Sequence, residues 1–136
     1  MSNDTKTPAW KTLTEDQWRK RLTETQFNVL RLKQTDPRTK GKPDFSRVFP
    51  KGTYSCVGCH ADLFDGKARF ECGCGWPAFD AMLPGQLTER PDGDRTEVVC
   101  TTCDGHLGHV FRGEELTDTN TRYCINTSVL EFRPTP

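Results

Sequence analysis

The sequence predicts a mainly β domain, built of antiparallel strands with short helices placed before them and stapled by a bound metal. Three observations carry that prediction. Beyond residue 52 the chain breaks into short strand-like runs separated by turn signals. Ahead of them lie two consecutive helix-start signatures. Four of the seven cysteines form two Cys-x-x-Cys pairs, the spacing of a tetrahedral metal site.

The helices come first. Leu13-Thr14-Glu15-Asp16-Gln17-Trp18 is a capping box, with Thr14 as N-cap, Gln17 at the third helical position, and Leu13 and Trp18 placed for a hydrophobic staple. Thr23 and Gln26 repeat the box, so segment 14–33 divides into helices over 15–21 and 24–33. Asp36-Pro37 ends the helical region, because the residue before a proline is pushed out of the α conformation. Residues 34–51, with Pro37, Gly41, Pro43 and Pro50, read as a surface linker. In the body, 52–132, the candidate strands are 53–56, 68–71, 96–100, 108–111, 121–126 and 129–132, with turns at Asp65-Gly66, Pro84-Gly85, Asp92-Gly93 and Asp104-Gly105. At 136 residues without internal repeats, the expectation is a single domain over 1–136.

Composition narrows the function classes. Only 33% of residues are hydrophobic, so a bound metal would be a useful brace for a modest core. Net charge is zero, but residues 1–51 hold 12 Lys/Arg against 6 Asp/Glu. Those charges alternate with acids and lack interleaved aromatics, the pattern of a solvated helical face, so no nucleic-acid partner is expected. Met1 to Trp10 contain no apolar signal region, and no run of 18 apolar residues occurs, so neither export nor a membrane is expected. The expected compartment is the reducing cytoplasm, where cysteines serve as metal ligands or redox catalysts rather than as a disulfide framework.

Cys56, Cys59, Cys100 and Cys103 are the candidate zinc ligands. Each Cys-x-x-Cys turn lets two thiolates reach one ion, and two turns complete a closed structural site. The pairs stand 40 residues apart, against about 15–20 in small zinc ribbons, so the ion staples distant parts of the domain. Cys56-Val57-Gly58-Cys59-His60 is also a c-type haem attachment string, but that reading leaves Cys100 and Cys103 unexplained. A thioredoxin-like redox pair would need a βαβ setting that neither Cys-x-x-Cys has. His60 is left as a surface histidine or one supporting the ligands.

Cys72, Cys74 and Cys124 remain. If Arg122-Tyr123-Cys124-Ile125-Asn126 is a strand, alternation turns Tyr123 and Ile125 to the core and puts Arg122, Cys124 and Asn126 on the other face. The Arg122 cation should then lower the Cys124 pKa; the competing reading is a buried structural cysteine. His106 and His109 follow the second metal pair, and with four thiolates already on the metal they are candidates for acid–base service. Three positions apart, they would face opposite sides of a regular strand unless the adjacent glycines bend the chain. Trp76 and Phe79, in Gly73-Cys74-Gly75-Trp76-Pro77-Ala78-Phe79, either cover the core or wall an apolar pocket beside a thiol.

The paired metal motifs, Gly-Cys-Gly-Trp-Pro-x-Phe at 73–79, Cys-Asp-Gly-His-Leu-Gly-His-Val-Phe at 103–111 and Arg-Tyr-Cys-Ile-Asn at 122–126 together resemble the methionine-R-sulfoxide reductases, the MsrB family. The resemblance spans 52–132 and implies two small antiparallel sheets in a tent-like arrangement. It implies reduction of methionine R-sulfoxide, free or in oxidised proteins, as part of oxidative stress repair. Cys124 would be the nucleophile and Cys74 the resolving thiol, with thioredoxin recycling the disulfide. His106, His109 and Asn126 would bind and polarise the sulfoxide oxygen, Arg122 would stabilise the thiolate, and Trp76 with Phe111 would receive the methyl group. Cys72 is an extra thiol beside Cys74 and an alternative resolver. The rival from another class is a zinc-braced module binding nucleic acid or protein, which has no use for Cys124 or Trp76.

Overall fold

A computed structural model describes residues 9–37 and 51–135; most of the linker read at 34–51 lies outside the described residues. The architecture is the predicted one, mainly β with two antiparallel sheets and two short helices. Helices α1 (Glu15–Arg21) and α2 (Glu24–Leu30) both begin with complete capping boxes, on Thr14/Gln17 and Thr23/Gln26. Helix α2 stops three residues short of the expected 33. The Gln34 N–H donates back to the Asn28 carbonyl with Lys33 in the left-handed region, a Schellman-type close that periodicity alone does not announce.

The strands are β1 (Gly52–Cys56), β2 (Asp62–Asp65), β3 (Arg69–Phe70), β4 (Ala78–Phe79), β5 (Leu87–Asp92), β6 (Arg95–Cys100), β7 (His106–Arg112), β8 (Thr121–Ile125) and β9 (Leu130–Pro134). A three-stranded sheet has the order β2-β1-β9, and a six-stranded sheet the order β3-β4-β8-β7-β6-β5. Three strands escaped the sequence reading. Leu63 and Phe64 in β2 are both fully buried, so the strand shows no alternation. Strand β4 is only two residues long. Strand β5 contains Pro91 and three charged residues, Glu89, Arg90 and Asp92, and it is an edge strand, where a missing N–H is tolerated.

Among the described residues, two features in particular join the sheets. The first is an aromatic seam: Phe64 of the small sheet stacks on Phe79 of the large one at 4.0 Å, and Tyr54 meets Phe79 edge-on at 4.9 Å. Phe132 and Tyr123 extend the seam at 4.7 and 5.9 Å. The second is the cysteine cluster, since Cys56 ends β1 in one sheet and Cys100 ends β6 in the other.

Within the large sheet β7 and β8 approach unusually closely at Gly108. A Cβ there would lie far inside contact distance of the Cys124 carbonyl oxygen and 3.0 Å from the Ile125 Cα. Backbone rather than a flexible side chain is in the way, so Gly108→Ala must part the two strands. The expected cost is about 1–3 kcal/mol of stability; a urea transition at the wild-type midpoint would contradict this packing.

Candidate active site and metal cluster

Strand β8 is central to the site. Alternation behaves as expected: Tyr123 and Ile125 are buried in the core, and Cys124 emerges on the opposite face. Cys124 pairs with Ala78 of β4 on one side and with His109 of β7 on the other. His109 in turn pairs with Glu97 of β6, which faces Arg90 of β5. Directly paired residues share a face, so one row runs thiol, imidazole, carboxylate, guanidinium across the sheet.

His106 joins the same face for a reason different from the one expected. Its partner is Val99, while Gly108 pairs with Val98, so Leu107 is an extra residue and β7 is bulged. The bulge shifts the parity of the strand, and the two imidazole rings come within 5.6 Å of each other. Gly108 serves close strand packing rather than the bend. The His106 Nδ1–H donates to Glu97 Oε2 at 2.7 Å, and the His109 Nε2–H donates to Asp92 Oδ2 at 2.7 Å. These bonds set both tautomers, leaving Nε2 of His106 and Nδ1 of His109 as the second ring nitrogens. Burial pushes the His106 pKa below its ordinary value although Glu97 opposes this, so the imidazole is neutral at pH 7. The His109 hydrogen bond holds the Asp92 carboxyl below its usual range, with Lys33 acting in the same direction. Lys33 reaches Asp92 and Glu97 at 3.3 and 3.4 Å, bracing both histidine partners from the segment after α2.

A cavity of about 270 Å³ opens over Cys124. Trp76, Phe111 and Gly108 supply apolar wall, Cys74 stands at its edge, and His109, Arg122, Asn126, Arg95 and Thr35 bring polar groups. Thus Cys124, Cys74, His109, Asn126, Arg122, Trp76 and Phe111 are brought to one cavity, and His106 supports it from a position only 4% exposed. Phe79 does not join them; it is fully buried in the seam.

Two electrostatic details correct the sequence expectations. Arg122 does act to lower the Cys124 pKa, but burial outweighs it and pushes the thiol above its ordinary value, with Glu114 adding to the rise. The guanidinium is bidentate to Glu114 at 2.8 and 3.1 Å and lies 4.4 Å over the Phe111 ring, so its charge is largely shared elsewhere. Asn126 is also committed: Oδ1 accepts the Asp36 N–H at 2.8 Å and Nδ2 donates to the Leu107 carbonyl at 3.0 Å, leaving one amide N–H.

The clamp around Asp36 was invisible in the sequence. Its N–H holds Asn126, its carbonyl accepts the Trp76 indole N–H at 3.0 Å, and its carboxylate accepts the Ser128 N–H at 2.7 Å. Arg95 in the cavity is a second omission, although its place beyond the Asp92-Gly93 turn and its alternation with Glu97 could have revealed it. Asp92, Glu97 and Glu114 were likewise missed as partners of the named side chains.

The metal cluster is built from two copies of one turn. In each, the first cysteine N–H donates to the carbonyl five residues on, Ala61 or Gly105, at 2.9 Å. Its own carbonyl accepts from the residue four on, His60 at 2.8 Å or Asp104 at 2.7 Å, and that residue is left-handed. Sulfur atoms of Cys56, Cys59, Cys100 and Cys103 all lie within 4.8 Å of one another, with Cys56–Cys103 at 3.8 Å and Cys59–Cys100 at 3.5 Å. A regular tetrahedron with Zn–S near 2.3 Å requires about 3.8 Å between sulfurs, so the donor set fits a zinc ion. Leu30 of α2 caps the cluster, packing within 2.6 and 2.5 Å of where Cβ atoms at Gly58 and Gly105 would be. Arg31 also donates to the Cys103 carbonyl at 2.9 Å. His60 is exposed and pairs with Glu131 rather than with the sulfurs.

Comparison with known proteins places this geometry. A SelR domain family model matches residues 22–134. The chain is 48% identical over 121 residues to peptide methionine sulfoxide reductase B8 of Arabidopsis thaliana, covering 87% of this chain and 83% of that protein. It is 44% identical over 124 residues to B4 of the same plant, with 89% and 88% covered. With B5 of Oryza sativa subsp. japonica it shares 42% over 123 residues, covering 88% and 89%. Among solved structures, the Mis18 'Yippee-like' domain aligns with a TM-score of 0.50 at 16% identity, over 63% of this chain and 98% of that one, a likeness of fold alone.

Proposed function

Since the chain belongs to the SelR-domain family, the peptide methionine sulfoxide reductases of type B, we propose that it reduces methionine R-sulfoxide to methionine, with Cys124 as nucleophile. The observation that carries this reading is the meeting of Cys124, His109 and the Trp76 wall in one cavity. An apolar wall beside a thiol suits the methyl-bearing end of an oxidised methionine, and the polar rim suits its oxygen.

The Cys124 thiolate attacks the sulfoxide sulfur while the oxygen gains protons at the polar rim. Methionine leaves and Cys124 becomes a sulfenic acid, so the two electrons that reduce the substrate come from the thiol. His109, held through Nε2 by Asp92, presents its other nitrogen for the oxygen or a water on it. His106 keeps Glu97 and the neighbouring ring in place. Asn126 contributes its remaining N–H, Arg122 offsets part of the burial cost of the thiolate, and Trp76 with Phe111 takes the methyl group. Cys74 then attacks Cys124 Sγ, water departs and a disulfide forms, which thioredoxin reduces from outside. The work belongs in the cytoplasm, where that reductant is present. Zinc, held by Cys56, Cys59, Cys100 and Cys103, supplies fold rather than chemistry.

The basic residues described near the N-terminus favour this over a nucleic-acid module. Lys11 pairs with Asp104, Arg19 with Glu15, and Lys33 with Asp92 and Glu97, while Arg21 and Arg31 lie over Trp10 and Trp18. The deciding experiment is turnover of the separated R and S sulfoxides of an N-blocked methionine with dithiothreitol. Turnover of the R epimer alone is expected; inactivity on both by a zinc-loaded sample would overturn the enzyme reading.

A further inference from the structure

Cys72, the one thiol left without a role, is bonded to Cys74 in this structure. The two lie in Cys72-Gly73-Cys74, with Cα atoms 5.3 Å apart and Gly73 in the left-handed conformation at φ +71°, which folds both side chains toward each other. The Trp76 carbonyl oxygen lies 3.9 Å from Cys72 Sγ and 3.4 Å from Cys74 Sγ, so the pair sits over one fixed point of the loop. Cys74 also lines the cavity that holds Cys124, whereas Cys72 does not. Cys74 is therefore common to two alternative disulfides and can hold only one at a time.

We propose that Cys72 is a second resolving residue, which takes over the disulfide from Cys124 and sets the nucleophile free before any external reductant arrives. This rests on the assignment of Cys124 and Cys74 above. After Cys74 has displaced water from the Cys124 sulfenic acid, the Cys72 thiolate attacks Cys74 Sγ. The Cys74–Cys124 bond breaks, a Cys72–Cys74 bond forms, and Cys124 leaves as a thiolate that takes up the proton Cys72 lost. One thiol and one disulfide enter and leave the exchange, so no oxidant or reductant is consumed. The oxidising equivalent passes from the floor of the cavity to a loop where Glu71 and Gly73 are exposed, which is where an external dithiol can dock. The cavity is then open to a second substrate while the loop still waits for its reductant.

The test counts methionine released by fully reduced, zinc-loaded protein given excess N-blocked methionine R-sulfoxide and no reductant, followed by alkylation and disulfide mapping. Wild type should release two methionines per chain, ending with a Cys72–Cys74 bond and Cys124 as a sulfenic acid that a 1,3-dione probe tags. Cys72→Ser should release one and end with a Cys74–Cys124 bond. Cys74→Ser should release one and leave the Cys124 sulfenic acid. One methionine from wild type, with Cys74–Cys124 as its final bond, would overturn the transfer while leaving the reductase reading intact. A Cys72–Cys124 bond in Cys74→Ser would overturn the order of events. No methionine from wild type would instead refute the function itself.

Discussion

Cys124→Ser is expected to lose the first turnover, with methionine release falling at least about 10⁴-fold, a barrier increase of about 5.4 kcal/mol. A serine hydroxyl fits the space but stays protonated, and among the described residues no base is hydrogen-bonded to Cys124 to activate it. Neither Cys72 nor Cys74 can substitute, because the strand places only Cys124 opposite His109. Single-turnover release of methionine, measured without any recycling reductant, isolates this step. Survival of the step in the variant would refute Cys124 as nucleophile. The same experiment on wild type has a pH signature. Burial pushes the Cys124 thiol above its ordinary pKa, and Glu114 acts in the same direction, so the neutral thiol predominates at pH 7. At subsaturating substrate the rate should therefore climb steadily from pH 6 to pH 9; a rate already flat by pH 7 would show a thiol lowered rather than raised.

Removal of zinc is expected to unfold the domain rather than merely quiet it. The cluster joins the end of β1 to the end of β6, so it ties the two sheets together, and α2 is seated on it through Leu30. Structural zinc contributes an apparent 10–16 kcal/mol in zinc-finger peptides at pH 7, roughly, and whole domains are stable by about 5–15 kcal/mol. Four buried sulfurs left without a cation also keep their crowding, with two contacts at 3.5 and 3.8 Å. A chelator-stripped sample should lose its cooperative thermal transition and its near-UV circular dichroism, and regain both when zinc is restored. An apo form that melts as the loaded one does would contradict the structural role.

Local chemistry made much of this readable in the sequence. Both capping boxes, the Asp92-Gly93 hairpin and the outward face of Cys124 follow from residue types at fixed offsets, and the structure contains them. The cysteine pairs were legible for the same reason, since each closes its turn within a few residues. Features set by distant partners were not. Strand β4 has two residues and exists because β3 and β8 flank it. The bulge at Leu107 leaves no mark on composition, yet it alone puts His106 and His109 on one face. The sign of the Cys124 shift depended on burial and on Glu114, eight positions from Arg122, neither of which spacing discloses.

The Asp36 clamp has a consequence in time as well as in space. Hairpins such as β5–β6 close over two residues, whereas Asp36 must find partners 90 and 92 positions away, and Trp76 across 40. Contacts of such long sequence separation spend their loop entropy before they return any stability. The Trp76 wall is therefore complete only once the segment around residue 36 has docked against strands far from it in the chain. The reverse is an expected result: freeing Asp36 would release Asn126, Trp76 and Ser128 from one anchor at once, so activity should be lost at a lower temperature than the sheets.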